Sequence, residues 1–212
     1  MSARTSDSKD EDRMSGGKPT GSAATLRPLA AHDDLAALTA LLHRAYARLA
    51  AMGLNFTAVD QSVEVTRQRF AAGQGFVLDD GGALVGCVVV AGPFDPVRHP
   101  GVLRSPWYLR RDVAHLHQLA VDPACQGQRL GDRLVEACEQ WAREHGFRAI
   151  ALDTAEPASH LRARYARLGY TEVDRVQWDG KRYRSLILVK ALAGAMPTAD
   201  DAEHREALAL AA

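Results

Sequence analysis

The chain has few cysteines, no long apolar run and no excess of charge of either sign. Its three cysteines, Cys87, Cys125 and Cys138, are odd in number and lack the spacing of metal ligands, which indicates a reduced protein. No stretch approaches the ~20 consecutive apolar residues needed to span a bilayer. The polar N-terminus contains no apolar signal core. We therefore expect a cytoplasmic protein without a membrane partner.

The balance of charges argues against a second class of partner. The chain has 26 Lys and Arg residues and 26 Asp and Glu residues, so its formal net charge is zero. Nucleic-acid binding depends on an excess of positive charge, so we expect no nucleic-acid partner. A length of 212 residues, with 47% hydrophobic and 25% charged residues, suits one globular domain.

Apolar spacing and turn signals predict one α/β domain at residues 23–192. A polar tail, residues 1–22, precedes it, and an alanine-rich tail or frayed helix, residues 193–212, follows it. The order of predicted elements is strand, two helices, three strands, helix, strand, helix and two strands, which indicates a single α/β layer with a mixed sheet. Predicted strands cover residues 23–29, 76–78, 84–90, 113–121, 149–152, 170–177 and 182–189, and predicted helices cover residues 35–49, 61–72, 128–145 and 158–168.

The connection between the third and fourth predicted strands is long and rich in proline. Pro93, Pro96, Pro100 and Pro106 interrupt it before about residue 111. A connection of that length in a globular domain is usually functional or mobile, so we expect it to face the substrate. Further candidates for the wall of a substrate site are Asn55, Phe56, Thr57, Trp107, Trp178 and Tyr183.

Residues 115–131 form the most informative segment. A short apolar strand ends at Asp122, and a glycine-bearing turn then leads into an amphipathic helix. Such a turn leaves backbone N–H groups unpaired at the positive end of the helix dipole, which is a phosphate site. His115 and His117 lie on one face of the strand and are candidate bases. The pattern predicts an enzyme that uses a phosphorylated cofactor.

Two motifs resemble those of the GNAT superfamily of acetyl-CoA-dependent N-acetyltransferases. Residues 126–131, Gln-Gly-Gln-Arg-Leu-Gly, are similar to the acetyl-CoA loop (Arg/Gln)-x-x-Gly-x-(Gly/Ala), with Arg129 in place of the middle glycine. Residues 165–170, Tyr-Ala-Arg-Leu-Gly-Tyr, resemble Tyr-x-x-x-Gly-(Phe/Tyr), and Ala158 stands where the family often has asparagine. The resemblance covers about residues 25–192. It implies a GNAT-like fold with a central, mixed, mostly antiparallel twisted sheet flanked by helices.

The resemblance also implies roles for individual residues. Tyr165 corresponds to the tyrosine that protonates the departing thiolate of coenzyme A. Residues 114–121 are similar to a strand of arylalkylamine N-acetyltransferases, whose two histidines remove a proton, which implies this role for His115 and His117. An oxyanion donor is expected in the backbone near Leu119. The residues implied in cofactor binding are Leu119, Ala120, Val121, Gln126, Gly127, Gln128, Arg129, Leu130, Gly131 and Asp132.

The resulting functional prediction is acetyl transfer from acetyl-CoA to a primary amine by direct attack. Acetyl-CoA is the expected cosubstrate, with no metal, and the acceptor is a small-molecule or peptide amine. The protein is expected to be a monomer or a homodimer. One alternative is a metal enzyme that binds a metal ion through His115 and His117, with Asp122 or His160 as a third ligand. Another alternative is a non-catalytic acyl-CoA-binding module. Cys125, next to the cofactor loop, is interpreted as a small packing residue.

Overall fold

Seven β-strands form one sheet in the part of the chain that the computed structural model describes, residues 24–97 and 99–192. The strands are β1 (Thr25–Pro28), β2 (Gln74–Asp80), β3 (Ala83–Ala91), β4 (Val113–Val121), β5 (Ala149–Ala155), β6 (Thr171–Val176) and β7 (Ser185–Ala191). The α-helices of the same residues are α1 (Leu35–Ala51), α2 (Val63–Ala71), α3 (Leu130–Glu144) and α4 (Ser159–Arg167). The predicted tails, residues 1–22 and 193–212, lie outside the described residues.

The described strands and helices follow the order predicted from the sequence. The sheet runs β1-β2-β3-β4-β5-β7-β6. Its neighbouring strands are antiparallel except for β4 and β5, which are parallel. The prediction of an α/β fold with a mixed, mostly antiparallel sheet is therefore confirmed.

Several element ends differ from the prediction where pairing or backbone conformation outweighs the local pattern. β2 begins at Gln74, before the predicted residue 76, because its ladder with β3 extends to Val90. β5 continues to Ala155, beyond the predicted residue 152, because its ladder with β7 has that length. α3 begins at Leu130 rather than at residue 128, because Arg129 adopts a left-handed conformation with φ 56°.

Side-chain caps set the starts of the first two helices. The Asp34 carboxylate accepts hydrogen bonds from the N–H groups of Ala36 and Ala37 at the start of α1. The Ser62 hydroxyl accepts from the N–H group of Val65, so α2 begins at Val63 rather than at residue 61. None of the helices in residues 24–97 and 99–192 combines the length and the apolar character required to cross a membrane.

The two larger helices cover opposite faces of the sheet. α1 packs Leu38, Leu41 and Leu42 against alternate residues of β2 and β3 on one face. α3 buries a stripe on the other face that consists of Leu130, Leu134, Val135, Cys138 and Ala142. The apolar spacing in the sequence predicts Leu130, Leu134, Ala137, Cys138 and Trp141 for this stripe, but Ala137 and Trp141 are only half-buried. The buried stripes hold both helices on the central strands.

The parallel pair β4 and β5 separates part of the way along the sheet. Their pairing covers Val113 to His115 on β4 and stops at Ala151 on β5. Beyond this point β4 continues to Val121, so one of its edges is released from β5. A bulge interrupts the pairing with β3 in the same part of β4, where Gln118 has a φ of 57°. The separation opens the sheet, and the clefts described below lie around it.

Candidate functional site

One cleft, with a volume of about 500 Å³, lies between α1, the end of β4 with the loop that follows it, and α4. We call it the loop cleft. Its walls include every sequence-predicted cofactor residue except Gln128: Leu119, Ala120, Val121, Gln126, Gly127, Arg129, Leu130, Gly131 and Asp132. The structure therefore brings these residues to one surface and leaves the Gln128 side chain outside it.

The loop between β4 and α3 presents its backbone to the loop cleft. The Asp122 carboxylate accepts a hydrogen bond from the N–H group of Ala124 and fixes the start of the loop. Gly127 and Arg129 both have positive φ, 85° and 56°. The N–H groups of residues 127–131 donate to no backbone or side-chain acceptor among the described residues. Free N–H groups at the start of a fifteen-residue helix suit a bound anion.

Positive side chains surround these free N–H groups. The Arg164 guanidinium forms an ion pair with Asp132 at 2.9 Å and lies directly over Gly131. Because residue 131 has no side chain, the guanidinium can lie against its backbone; a Cβ atom there would displace the guanidinium. Further arginine side chains in the loop cleft are those of Arg48, Arg129 and Arg167. The cleft has the charge that a phosphorylated ligand needs.

A second cleft, with a volume of about 460 Å³, adjoins the first. We call it the aromatic cleft because its walls include Phe56, Phe94, Tyr108, Trp178 and Tyr183. Residues that belong to the walls of both clefts are Tyr46, Phe56, Leu119, Asp153 and Tyr165. The two clefts therefore meet beside the released part of β4.

Tyr165 lies where the clefts meet. Its side chain is buried, and its hydroxyl makes no hydrogen bond within the described residues. Burial raises the pKa of Tyr165 to about 12. The phenol is therefore protonated at neutral pH and has a proton to donate.

The bulge in β4 is held by contacts on both sides. The Tyr46 hydroxyl donates to the carbonyl of Leu119 at 3.1 Å. The side-chain amide of Gln61 donates to the side-chain carbonyl of Gln118 at 2.9 Å. A bulge leaves one residue outside the ladder, and these contacts fix the direction of the backbone around the expected oxyanion donor near Leu119.

The predicted histidines line the aromatic cleft. His115 is 2% exposed and stacks on Tyr108 at 4.7 Å between ring centroids. The ring nitrogens of His115 and His117 have no hydrogen-bond partner among the described residues. Burial lowers the pKa of each to about 3. Both imidazoles are therefore neutral at physiological pH, and buried nitrogens without partners indicate a place where a ligand or water is bound.

Asp153 is a charged residue of the site that sequence reasoning missed. Its carboxylate accepts hydrogen bonds from the Tyr108 hydroxyl at 3.2 Å and the Trp178 indole N–H at 3.1 Å. It lies on β5 where that strand has separated from β4, so it faces both clefts. The sequence contained one signal, an acidic residue next to the apolar run of residues 149–152.

Two cations of the aromatic cleft were also missed. Lys181 donates to the Asn55 carbonyl at 2.7 Å and to the Thr57 hydroxyl at 3.1 Å. Arg69, on α2, is half-buried, and it makes no hydrogen bond or ion pair within the described residues. Burial lowers the pKa of both side chains. The sequence around Arg69 contains no recognisable motif, so its place in the cleft becomes evident only from the packing of α2 against the sheet.

The predicted substrate wall is only partly assembled. Phe56, Thr57, Trp178 and Tyr183 line the aromatic cleft. Asn55 instead donates to the Gly180 carbonyl and holds the neighbouring turn. Trp107 is 2% exposed and packs in the core, where the Arg110 guanidinium lies over its ring. From the proline-rich connection, Phe94, His99, Gly101, Val102 and Tyr108 reach the cleft.

The ligand set of the metal alternative is not brought together. Asp122 forms an ion pair with Arg44 at 2.7 Å. His160 lines the loop cleft, whereas His115 and His117 line the aromatic cleft. Within residues 24–97 and 99–192, no three His, Cys, Asp or Glu side chains are placed to hold a metal ion together.

Two further positions singled out in the sequence contribute mainly packing. Burial raises the pKa of the half-buried Cys125 thiol, which suits a small packing residue. Ala158 is fully buried before the start of α4 and supplies no side-chain cap to that helix.

Comparison with known protein families identifies one family whose model matches this chain. A family model described as the acetyltransferase (GNAT) family matches residues 38–170. A sequence search of curated proteins finds no significant match.

Solved structures with the same fold share little sequence. The ribosomal-protein-S18-alanine N-acetyltransferase of Escherichia coli is 20% identical with a TM-score of 0.59, over 81% of this chain and 96% of that one. An Elizabethkingia anophelis GNAT acetyltransferase with acetyl-CoA bound is 16% identical with a TM-score of 0.56, over 81% and 100% of the chains. A Brucella melitensis GNAT acetyltransferase in complex with acetyl-CoA is 17% identical with a TM-score of 0.56, over 83% and 92%. These likenesses establish the fold.

Proposed function

The chain belongs to the GNAT acetyltransferase family and is an acyltransferase, and on that premise we propose that it transfers an acetyl group from acetyl-CoA to a primary amine. The observation that carries the proposal is the meeting of the two clefts beside β4. The loop cleft has a backbone suited to phosphate, and the aromatic cleft has the acid and base candidates for the transfer. GNAT relatives of this fold bind acetyl-CoA.

The residues of the loop cleft fit the groups of acetyl-CoA. The free N–H groups of residues 127–131 bind the diphosphate, aided by the nearby guanidinium groups of Arg48, Arg164 and Arg167. The released edge of β4, from Leu119 to Val121, pairs with the amide groups of the pantetheine arm. Acetyl-CoA supplies an activated acetyl thioester at the place where the clefts meet.

Tyr165 is the proton donor in this proposal. The leaving group of the transfer is a thiolate, which needs a proton as the bond to carbon breaks. Tyr165 is protonated at neutral pH because burial raises its pKa to about 12, and it belongs to the walls of both clefts. Its position and protonation state both suit the role.

Proton removal from the amine is assigned to His115 and His117. A primary amine has a pKa of about 10, so it arrives as an ammonium and must lose a proton before or during attack. Asp153 attracts the ammonium into the aromatic cleft, and the neutral imidazoles accept the proton. Because burial lowers the pKa of both imidazoles, the proton moves to them only as the nitrogen attacks the thioester and becomes more acidic, and it then passes on to water.

A free-thiol assay tests the proposed function. Acetyl-CoA is incubated with a panel of arylalkylamines, amino acids, polyamines, aminoglycosides and peptides, and release of coenzyme A is followed. We expect thiol release that depends on one class of amine. Thermal stabilisation by acetyl-CoA without thiol release from any amine would instead identify a non-catalytic acyl-CoA-binding module.

A further inference from the structure

Arg69 places an unpaired positive charge in the aromatic cleft. The side chain is half-buried, lines the cleft and has no ion-pair or hydrogen-bond partner within the described residues. A charge that is partly removed from water without a partner is less stable than a fully hydrated one. An anionic group on a bound ligand would supply the missing partner, and a guanidinium matches the planar fork of a carboxylate.

The carboxylates of the cleft form no ion pair with Arg69. The carboxylates in its walls belong to Asp153 and Asp179. Asp179 is bound by Arg104 at 2.6 Å. Asp153 is hydrogen-bonded by neutral groups, and it influences the pKa of Arg69 without contacting it. Lys181 adds a second cation that is held by neutral oxygens. The cleft therefore offers positive sites and a separate negative one.

We propose that the acceptor is an amino acid or an amino-acid-like molecule, whose carboxylate binds Arg69 and whose amino group is attracted by Asp153. The inference rests on the proposed function and names its substrate class. The aromatic rings of Phe94, Tyr108 and Trp178 hold the body of the molecule. A volume of about 460 Å³ lies in the range of small-molecule pockets.

The same arrangement links recognition to proton transfer. The pKa of His117 is lowered first by burial and second by the charge of Arg69. A carboxylate on Arg69 offsets that charge and so makes His117 a better proton acceptor. An acceptor without a carboxylate leaves the opposing charge in place. The aromatic cleft therefore favours the carboxylate-bearing molecule in binding and in reaction.

Binding of matched ligand pairs tests the inference. The pairs are phenylalanine with phenethylamine and tryptophan with tryptamine, titrated by calorimetry into the full chain in the presence of coenzyme A. We expect the amino acid of at least one pair to bind about tenfold or more tightly than its decarboxylated partner, because a charge-assisted hydrogen bond is added. An absence of preference in both pairs, including an absence of binding, overturns the inference.

Substitutions on α2 test whether Arg69 is the group that binds the ligand carboxylate. Arg69→Met keeps the length of the side chain and removes its charge, and it is expected to abolish the preference for the amino acid over its decarboxylated partner. Arg69→Lys retains part of the preference. Arg67→Met is the matched control, because Arg67 lies on the same helix, is exposed and pairs with Glu64 outside the aromatic cleft. A preference that survives Arg69→Met overturns the inference.

The test separates this inference from the proposed function. Preferential binding that needs Arg69 but yields no free thiol from acetyl-CoA supports the carboxylate site and contradicts acetyl transfer. Equal thiol release from amino acids and from their decarboxylated partners supports acetyl transfer and contradicts the carboxylate site. Unfolding of Arg69→Met checks the fold: its melting temperature should equal or exceed that of the unsubstituted protein, since an unpaired charge is removed.

Discussion

At the scale of single residues, Tyr165 is the group whose loss should affect chemistry most selectively. Tyr165→Phe removes the hydroxyl and keeps the ring, so we expect acetyl-CoA to bind as before. Turnover should fall by about tenfold or more, because the departing thiolate loses its proton donor. Steady-state kcat and the calorimetric Kd for acetyl-CoA measure the two effects separately.

Tyr170 provides the matched control for Tyr165. Its ring lies 5.9 Å from that of Tyr165 between centroids, but its hydroxyl donates to Glu139 in the core. Tyr170→Phe should lower the free energy of unfolding by about 1 kcal/mol and leave kcat unchanged. Unaltered turnover in Tyr165→Phe, or an equal loss in both variants, would remove Tyr165 as the acid.

The lowered pKa values of His115 and His117 lead to a prediction about stability and pH. Their pKa values are about 3 in the folded protein and about 6.5 in the unfolded chain, so the unfolded chain binds more protons between these limits. Their contribution to folding is complete above about pH 6.5 and is lost as the pH falls toward 3. We expect the urea concentration at the unfolding midpoint of the wild-type protein to decrease when the pH is lowered from about 7.5 to about 5.

A double variant assigns that pH dependence. His115→Gln with His117→Gln replaces both imidazoles by polar groups that do not titrate. Its urea midpoint should change less over the same pH interval than that of the wild-type protein, whatever its absolute stability. Identical pH dependence of the two proteins would show that the histidines do not carry it.

Single residues also mark the limits of sequence reasoning. Alternation along one strand correctly put His115 and His117 on a common cleft, because side-chain direction in a strand is a local property. Their neutrality follows from burial, which no local pattern contains. Arg69 and Asp153 escaped notice for the same reason, since each acquires meaning only from the elements packed against it.

At the scale of elements, the loop between β4 and α3 contains a testable backbone strain. Arg129 has a left-handed conformation, which costs about 1 kcal/mol in residues other than glycine. Arg129→Gly should therefore stabilise the fold by about 0.5–1 kcal/mol. Urea unfolding at constant m-value measures the change.

Arg129→Ala is the control for the lost side chain. It removes the same guanidinium but keeps the Cβ atom and hence the strain, so it should not share the gain in stability. Equal stability of the glycine and alanine variants would mean that the left-handed conformation is absent in solution. Arg129 stands where the GNAT motif has glycine, and its backbone has the left-handed conformation that favours glycine.

Elements were more predictable from the sequence than their arrangement. Glycine-bearing turns such as the one at Gly81 and Gly82 separate the strands in the sequence itself, so their order followed directly. The separation of β4 from β5 after His115 and the bulge at Gln118 depend on pairing between distant segments. These two features create the clefts, and neither has a local signal.

At the scale of the whole molecule, charge is balanced overall but divided within the site. The formal net charge is zero, yet four arginines, Arg48, Arg129, Arg164 and Arg167, line the loop cleft. The aromatic cleft contains separate positive and negative groups. A phosphorylated donor and a charged acceptor can therefore enter from different sides and meet beside Tyr165. The composition could not reveal this separation of charges between the two clefts, because it sums the charges of the whole chain.

A crystal structure of the protein with acetyl-CoA tests the proposed site most directly. We expect the diphosphate within hydrogen-bond distance of the N–H groups of residues 127–131, the pantetheine arm along the released edge of β4 and the thioester sulfur beside the Tyr165 hydroxyl. A diphosphate bound elsewhere, with the loop cleft empty, would contradict the proposed site.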